Sequence, residues 1–251
     1  MVIQKEIIVD VLKDMEISIE SRYMANISEL IKNNRAFSFL SNHKISDSAM
    51  FEWEYCGKTS KVMQVIVIGK SGYGKSTTLN KLIGKDVFAS DAIGACTKKN
   101  YSADYQLKQP DQFFSLCDLP GIGESTFADK KYFKWYNEML QNTTVVVYML
   151  RADQRDFSLD LDICNKLFKN PSCKKQILLA INCADKIEPI NRASKLSDLQ
   201  KNNLNRKVEE IKRVFQTKHV VAYSAETGYN FGLFTNKLAQ MILNHKYQTF
   251  C

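Results

Sequence analysis

The sequence lacks any long hydrophobic run. Although 45% of its 251 residues are hydrophobic, no apolar stretch approaches the ~20 residues that a membrane-spanning helix needs. The N-terminus also lacks the basic flank and apolar core of a secretory leader. We therefore expect a cytoplasmic protein without an integral membrane segment.

Cysteine pairs and repeats are also missing. The seven cysteines are an odd number, and none belongs to a C-x-x-C pair, so the pattern favours neither a disulfide framework nor a zinc site. The cysteine at the end of the sequence is residue 251, whereas prenylation needs a cysteine four residues from the end, so we do not expect a lipid anchor. No internal repeat or low-complexity tract is present.

Charge is present but unevenly distributed. The net charge is +8, and residues 1–60 carry seven basic and nine acidic side chains, which leaves +10 on residues 61–251. Basic residues are dense between Lys186 and Lys218, with nine basic against four acidic side chains. Such a stretch can attract a nucleotide, RNA or an anionic surface, although a solvated helix face is the more common explanation.

The most informative motif lies at residues 69–76, which read Gly-Lys-Ser-Gly-Tyr-Gly-Lys-Ser directly after the apolar run 62–68. A G-x-x-x-x-G-K-S loop between a strand and a helix aims backbone N–H groups at a polyphosphate. Lys75 would reach the β- and γ-phosphates, and the Ser76 hydroxyl would hold Mg²⁺. The nucleotide-binding residues that we predict in this loop are Gly69, Ser71, Gly72, Tyr73, Gly74, Lys75, Ser76 and Thr77.

Hydrophobic periodicity divides the chain into two parts. From residue 61 on, short apolar runs alternate with helical stretches, which is typical of a mostly parallel sheet with crossover helices. In residues 6–32, apolar residues recur at steps of three and four, which predicts one or two helices. Residues 33–60 lose this pattern, which predicts a loop-rich passage. We therefore expect an N-terminal helical and loop extension over residues 1–60 and a nucleotide-binding domain over residues 61–251. The predicted strands are 62–68, 100–107, 112–117, 144–150, 176–182 and 219–223, and the predicted helices are 75–83, 127–141, 157–169, 197–216 and 231–246.

Three more short motifs follow predicted strands. Asp118-Leu119-Pro120-Gly121 is a D-x-x-G element, whose carboxylate would bind Mg²⁺ through water and whose Gly121 N–H would meet the γ-phosphate. Asn182-Cys183-Ala184-Asp185 and Ser224-Ala225-Glu226 follow two later strands. A carboxylate at Asp185 suits guanine, because guanine offers two parallel N–H donors that adenine lacks. The four motifs, in order and at strand ends, indicate a guanine nucleotide site.

On these motifs the chain resembles small GTPases of the Era/EngA/TrmE/YfjP/septin-like superfamily, and residues 118–125, 151–155 and 184–189 are most similar to its YfjP-like branch. The resemblance implies a Ras-like P-loop fold, with a six-stranded, mostly parallel α/β sheet of which one strand is antiparallel. It also implies GTP or GDP with Mg²⁺ as ligands, and a switch that hydrolyses GTP slowly. The residues implied for the base are Asn182, Asp185, Lys186, Ser224 and Ala225, those for the metal are Ser76, Thr97 and Asp118, and those for catalysis are Lys75, Thr97, Gly121 and Glu124.

Three positions differ from the pattern of other GTPases. Ile122 stands where Ras-type enzymes carry a water-orienting glutamine, so we expect slow intrinsic hydrolysis unless another group orients the water. A hydrophobic residue at this position is usual in the family that the chain resembles. Gly72 stands where potassium-dependent relatives carry an asparagine. Cys183 replaces the lysine of N-K-x-D, whose stem normally packs on the base, and this loss of contact should weaken binding.

The missing glutamine suggests the hypothesis that hydrolysis is completed in trans. A second copy or a partner would bring Arg151, Arg155 or Glu124 to the nucleotide, and an inserted arginine can be worth ~10³–10⁵ in rate. The alternative is that both arginines pair locally with Asp153 and Asp156.

Three further partner or function hypotheses stay open. A homodimer across the nucleotide face would fit hydrolysis in trans. The basic stretch of residues 186–218 would fit an RNA- or ribosome-associated GTPase. The N-terminal helices could supply the interface of a self-assembling septin- or dynamin-like GTPase.

Overall fold

The computed structural model describes residues 21–42, 50–55, 58–88, 101–122, 132–133, 136–169, 176–190 and 195–245. These residues form an eight-stranded sheet with helices on both faces. The strands are β1 (Ser21–Asn26), β2 (Phe51–Tyr55), β3 (Lys58–Gly69), β4 (Tyr101–Gln106), β5 (Gln112–Asp118), β6 (Val145–Arg151), β7 (Ile177–Asn182) and β8 (Val220–Ala222). The helices are α1 (Ile27–Asn33), α2 (Phe39–Asn42), α3 (Lys75–Ile83), α4 (Ser158–Leu167), α5 (Asp198–Val214) and α6 (Phe231–Leu243), with short 3₁₀ turns at Arg35–Phe37 and Ala184–Lys186.

Six of the strands have the predicted Ras-like arrangement. Their order is β4-β5-β3-β6-β7-β8. All neighbours in this order are parallel except β4, which runs antiparallel to β5. The carboxyl ends of the five parallel strands therefore meet at one edge of the sheet, which is where ligands bind in such folds.

The predicted elements after residue 61 agree closely with the structure. Helix α3 has the predicted bounds, and the other described ends differ by a few residues. Of the predicted helix 127–141, the described residues 132–133 and 136–140 are helical. Strand β7 and all but the last residue of β6 are buried, which explains their continuous apolar runs.

Two strands lie outside the predicted six. Strand β1 pairs with β4 in parallel, and β2 pairs antiparallel with the first residues of β3. The expectation of a helix through residues 21–26 and a loop through 51–55 is thus wrong, because pairing with distant strands decides their conformation. Residues 1–20 lie outside the described residues, and the domain boundary at residue 60 stays a prediction.

The segment after β1 packs into the main core. Leu30, Phe37 and Leu40 are buried in the same hydrophobic cluster as residues of α3 and α6. The Nδ2 atom of Asn33 donates to the Ile83 carbonyl at 2.5 Å. Asn34 donates to the carbonyl of the preceding residue of α3 in the same way. The first described segment therefore completes the face of the sheet that carries α3.

The opposite face of the sheet is covered by α4, α5 and the helical residues 136–140. Ile163 of α4 and Leu204 and Ile211 of α5 are buried there. Within the described ranges, each helix is too short or too polar to cross a bilayer.

Candidate nucleotide-binding site

The loop between β3 and α3 has the conformation of a phosphate-binding turn. Gly72 and Gly74 have φ angles of 75° and 81°, a left-handed region that other residues rarely adopt. A Cβ atom on Gly74 would clash with Nδ2 of Asn182, so this position also has no room for a side chain. Gly74 is the N-cap of α3, and the first N–H groups of that helix face the loop.

Lys75 is held inside this loop. Its side chain is buried, and its Nζ donates to the Lys70 carbonyl oxygen at 3.2 Å. A cation at the N-terminus of a helix is unfavourable by itself, and an anion bound in the loop would compensate it. The site is therefore electrostatically suited to a polyphosphate.

Ser76 and Asp118 form the candidate metal site. The Ser76 Oγ donates to Oδ2 of Asp118 at 2.5 Å, and Asp118 is buried at the end of β5. A hydroxyl and a carboxylate oxygen are the hard ligands that Mg²⁺ prefers, so the residues present fit this ion. The third predicted metal ligand, Thr97, lies outside the described residues.

The D-x-x-G segment lies directly against the phosphate loop. The Ile122 N–H donates to the Gly69 carbonyl at 3.2 Å, and a Cβ on Gly121 would lie 2.6 Å from the Ser71 nitrogen. The Ile122 side chain is buried in the core on the α4–α5 face. It therefore has neither the chemistry nor the position to orient a water molecule. The predicted Glu124 lies outside the described residues.

Asn182 connects three of the predicted motifs. Its Nδ2 donates to the Tyr73 carbonyl at 3.1 Å, and its Oδ1 accepts from the Ala225 N–H at 2.9 Å. Ser224, next to it, is buried and accepts from the Thr227 N–H through its Oγ at 3.0 Å. The sequence places Asn182 at the base, whereas its contacts in the structure tie the phosphate loop to the loop after β8.

Asp185 lies three residues after Asn182, and one of its carboxylate oxygens accepts no hydrogen bond from the described residues. Its Oδ1 is buried and has no hydrogen-bond partner among the described residues. Buried polar atoms are normally paired, so this oxygen fits a ligand that brings its own donors, as guanine does. Lys186 is exposed next to it, and Thr77 lies half-buried in the first turn of α3.

A buried carboxylate that sequence reasoning missed anchors the outer side of the phosphate loop. Asp160 in α4 pairs with Lys70 at 2.8 Å and is fully buried. It also accepts from the Tyr148 hydroxyl at 3.1 Å and from Gln154 Nε2 at 2.6 Å. Burial raises the pKa of Tyr148 well above its ordinary value, so its hydroxyl stays a donor. No sequence signal links Lys70 to a helix ninety residues away.

Arg151 at the end of β6 makes a second contact that the sequence did not reveal. Its Nε and Nη2 donate to the two carboxylate oxygens of Asp153 at 2.9 and 2.7 Å, and its Nη1 donates to the Gly72 carbonyl at 3.1 Å. Local pairing with Asp153 is therefore confirmed. The expected partner of Arg155, Asp156, instead accepts from the N–H and hydroxyl of Ser158.

The sequence is similar to a known GTPase family and to two bacterial proteins. A family model described as "50S ribosome-binding GTPase" matches residues 64–183. The chain is 32% identical over 155 residues to YkfA and 30% identical over 155 residues to YfjP, two proteins of Escherichia coli strain K12 named as uncharacterized. Residues 64–183 are therefore similar to the GTPase domain of this family. Each alignment covers 62% of this chain and 53% of the relative, so the chain spans about half the length of these curated relatives.

Solved structures support the fold of the GTPase domain. Toc33 from Arabidopsis thaliana, in complex with GDP and Mg²⁺, matches with a TM-score of 0.55 and 18% identity, over 74% of this chain and 86% of that chain. Era in complex with MgGDPNP and a segment of 16S ribosomal RNA matches with a TM-score of 0.56 and 24% identity, over 72% and 57%. The predicted Ras-like fold is thereby confirmed, and the predicted superfamily is confirmed by the family model and by the similarity to YkfA and YfjP. The matches support GTP binding and hydrolysis as the general activity of such a domain.

Proposed function

We propose that this chain binds GTP and GDP with Mg²⁺, hydrolyses GTP slowly and acts as a nucleotide-dependent switch. The observation that carries the proposal is the unpaired, buried Oδ1 of Asp185 in a cluster of strand-end loops that Asn182 holds together. A carboxylate left unpaired in this way penalises adenine and favours guanine, because only guanine can satisfy it with two donors.

The roles of the other residues follow from their positions. The N–H groups of the loop 69–76 and the Lys75 ammonium would bind the phosphates, and Ser76 and Asp118 would hold the metal ion. Mg²⁺, when bound, neutralises charge on the phosphate oxygens. Thr97 as the third metal ligand and Glu124 as a catalytic group stay predictions.

The switch role rests on the contact of Gly121 with Ser71. A γ-phosphate bound in the loop would lie near both backbones, so the D-x-x-G segment can respond to its loss. The low rate rests on Ile122, whose buried side chain cannot polarise water. Completion of hydrolysis in trans by Arg151 is less favoured, because that arginine already binds Asp153 and Gly72.

The test is the nucleotide that the chain carries and prefers. Protein purified under mild conditions is expected to release GDP or GTP on denaturation, and titration calorimetry is expected to show heat for GDP but not for ADP. Lys75→Ala should lose triphosphate binding, and Ser76→Ala should mainly weaken the dependence on Mg²⁺. Binding of adenine nucleotides without guanine nucleotides would overturn the proposal.

A cleft lined with arginines favours RNA contact as a second candidate function. It has a volume of about 550 Å³ and lies between α5 and the loops that follow β6 and β7. Its lining holds four basic side chains, Arg155, Arg206, Lys207 and Arg213, and three acidic ones, Asp153, Glu188 and Glu210. None of the three arginines has an ion-pair partner among the described residues. Era, a protein of similar fold, has been solved with 16S ribosomal RNA.

Salt dependence tests this second candidate. If two arginines neutralise two phosphates, the double variant Arg206→Ala/Arg213→Ala should bind RNA more weakly and lower the slope of log affinity against log salt by about 1.4–1.8. Arg35→Ala, which removes an exposed arginine outside the cleft, is the matched control. Equal slopes for all three proteins would remove the cleft from RNA binding.

A further inference from the structure

The base-reading motif lacks its usual cation. Residue 183, where the family pattern has a lysine, is a cysteine with a left-handed backbone (φ 59°). The thiol is partly buried, and burial raises its pKa, so it stays neutral at physiological pH. A short, neutral side chain offers neither a charged donor nor a long stem to pack on a base.

A different cation lies beside this gap. Arg151 is the register partner of Asn182 in the β6–β7 pair, one residue before Cys183. Burial raises the pKa of the Cys183 thiol, and the nearby charge of Arg151 opposes this effect. The Arg151 Nη1 reaches across the strand ends to the Gly72 carbonyl at 3.1 Å. The phosphate loop thus receives a charge-assisted hydrogen bond from β6.

Asp153 fixes the orientation of this guanidinium. Both of its oxygens accept from Arg151, at 2.9 and 2.7 Å, and such two-point pairing defines the plane of the group. The Arg151 side chain keeps 27% of its surface exposed. A planar cation held in this way can pack on an aromatic face with little further loss of entropy.

We propose that Arg151 replaces the missing lysine of the N-K-x-D motif. One edge of its guanidinium holds the phosphate loop at Gly72, and its flat surface borders the purine of a bound guanine nucleotide. This assignment rests on the proposed guanine-nucleotide function and deepens it, because it supplies a nucleotide contact from β6 in place of the one that Cys183 has lost.

The first experiment measures GDP affinity in Arg151→Ala and Arg35→Ala. Arg35 is an exposed arginine in the 3₁₀ turn Arg35–Phe37 and has no role in the proposed site, so it is the control. Arg151→Ala removes both the charge-assisted hydrogen bond to Gly72 and the flat surface that borders the base. GDP binding should therefore weaken about 10- to 100-fold. The control should bind GDP as the wild type does.

A rescue variant separates a nucleotide-binding role from a merely structural one. The double variant Arg151→Ala/Cys183→Lys returns a cation and an aliphatic stem to the original motif position, and it should recover most of the lost affinity. If Arg151→Ala does not fold, Arg151→Gln replaces it in both measurements, because glutamine retains a donor but loses the charge and the guanidinium plane.

The outcomes are distinct. Wild-type protein that binds no guanine nucleotide overturns both the proposed function and this inference. Wild-type GDP binding that survives Arg151→Ala overturns the inference alone. Weakened binding that Cys183→Lys does not restore also overturns it, because Arg151 would then act only through the shape of the loop.

Discussion

In the proposed site, the carboxylate of Asp185 is expected to determine the choice of base. In Asp185→Asn an acceptor oxygen becomes an N–H₂ donor, so preference should move from GDP toward XDP, whose C2 carries an oxygen in place of the amino group. Competition binding of the two nucleotides measures this change. Glu188→Gln, which neutralises an exposed acid three residues away, is the control. Unchanged GDP affinity in Asp185→Asn would place this carboxylate outside the base pocket.

Two histidines give the fold a predicted sensitivity to acid. Burial lowers the pKa of His219, with Lys237 and Lys218 adding to the effect, and burial alone lowers that of His245. Below about pH 6.5 the unfolded chain therefore binds more protons than the folded chain. The stability that these two histidines contribute is fully present above that pH. It is lost as the pH falls through the lowered pKa values that they have in the folded state.

The measurement is the melting temperature between pH 7.5 and pH 5. The wild type should lose stability over this window, and the double variant His219→Gln/His245→Gln should lose less. Parallel curves for the two proteins would show that neither histidine stays neutral in the fold.

Single residues also show what sequence can and cannot predict about the site. The phosphate loop, Asp118 and Asp185 are recognisable because their chemistry is tied to short, local spacing. The pairing of Lys70 with Asp160 and the reach of Arg151 to Gly72 depend on which helix and which strand lie next to the loop. Those neighbours are set by the fold as a whole, so no local pattern contains them.

At the scale of elements, the contact of α1 with α3 stands out. The side chains of Asn33 and Asn34 donate to two carbonyls at the end of α3, which lack partners within the helix. Gly84, the C-cap of α3, has a φ of 78°, and a Cβ there would lie 2.5 Å from Asn33 Nδ2. These amides therefore cap the helix that follows the phosphate loop.

Removing both amides should loosen this junction. Each lost hydrogen bond costs about 0.5–1.5 kcal/mol, so Asn33→Ala/Asn34→Ala should lower the free energy of unfolding by about 1–3 kcal/mol. Urea denaturation measures the change. Asn137→Ala, which removes an exposed amide that bonds only within its own turn, is the control and should have little effect. Equal stability of the two variants would mean that the caps contribute nothing.

Helix α5 and strand β1 show why some elements could be predicted from the sequence and others could not. Helix α5 begins at a capping box formed by Ser197 and Gln200, a signal that is local and readable. Strand β1 has no such signal, because its conformation depends on pairing with β4, some eighty residues away. The spacing of apolar residues continues from β1 into α1, so the periodicity predicted one or two helices over both. Asn26, which caps α1 by accepting from the Ser28 N–H, was the available sign of the boundary.

At the scale of the whole molecule, the described part of the N-terminal sixty residues shares the core of the GTPase domain. Leu30 is fully buried in the cluster that contains α3, β5 and α6, and Phe37 packs on Phe114 of β5 with ring centroids 6.0 Å apart. A shared core of this kind predicts that residues 21–42 and the residues of the proposed nucleotide site unfold together.

Leu30→Ala tests this cooperativity. Deleting a fully buried leucine should cost about 2–5 kcal/mol, and because the cluster is shared, the whole domain should melt earlier in a single transition by calorimetry. Leu199→Ala, at a leucine that is 57% exposed on α5, should change stability by no more than about 0.5 kcal/mol. If Leu30→Ala instead produces an early, separate transition and leaves the main one in place, residues 21–42 form an independent extension, and their packing on α3 does not support the nucleotide site.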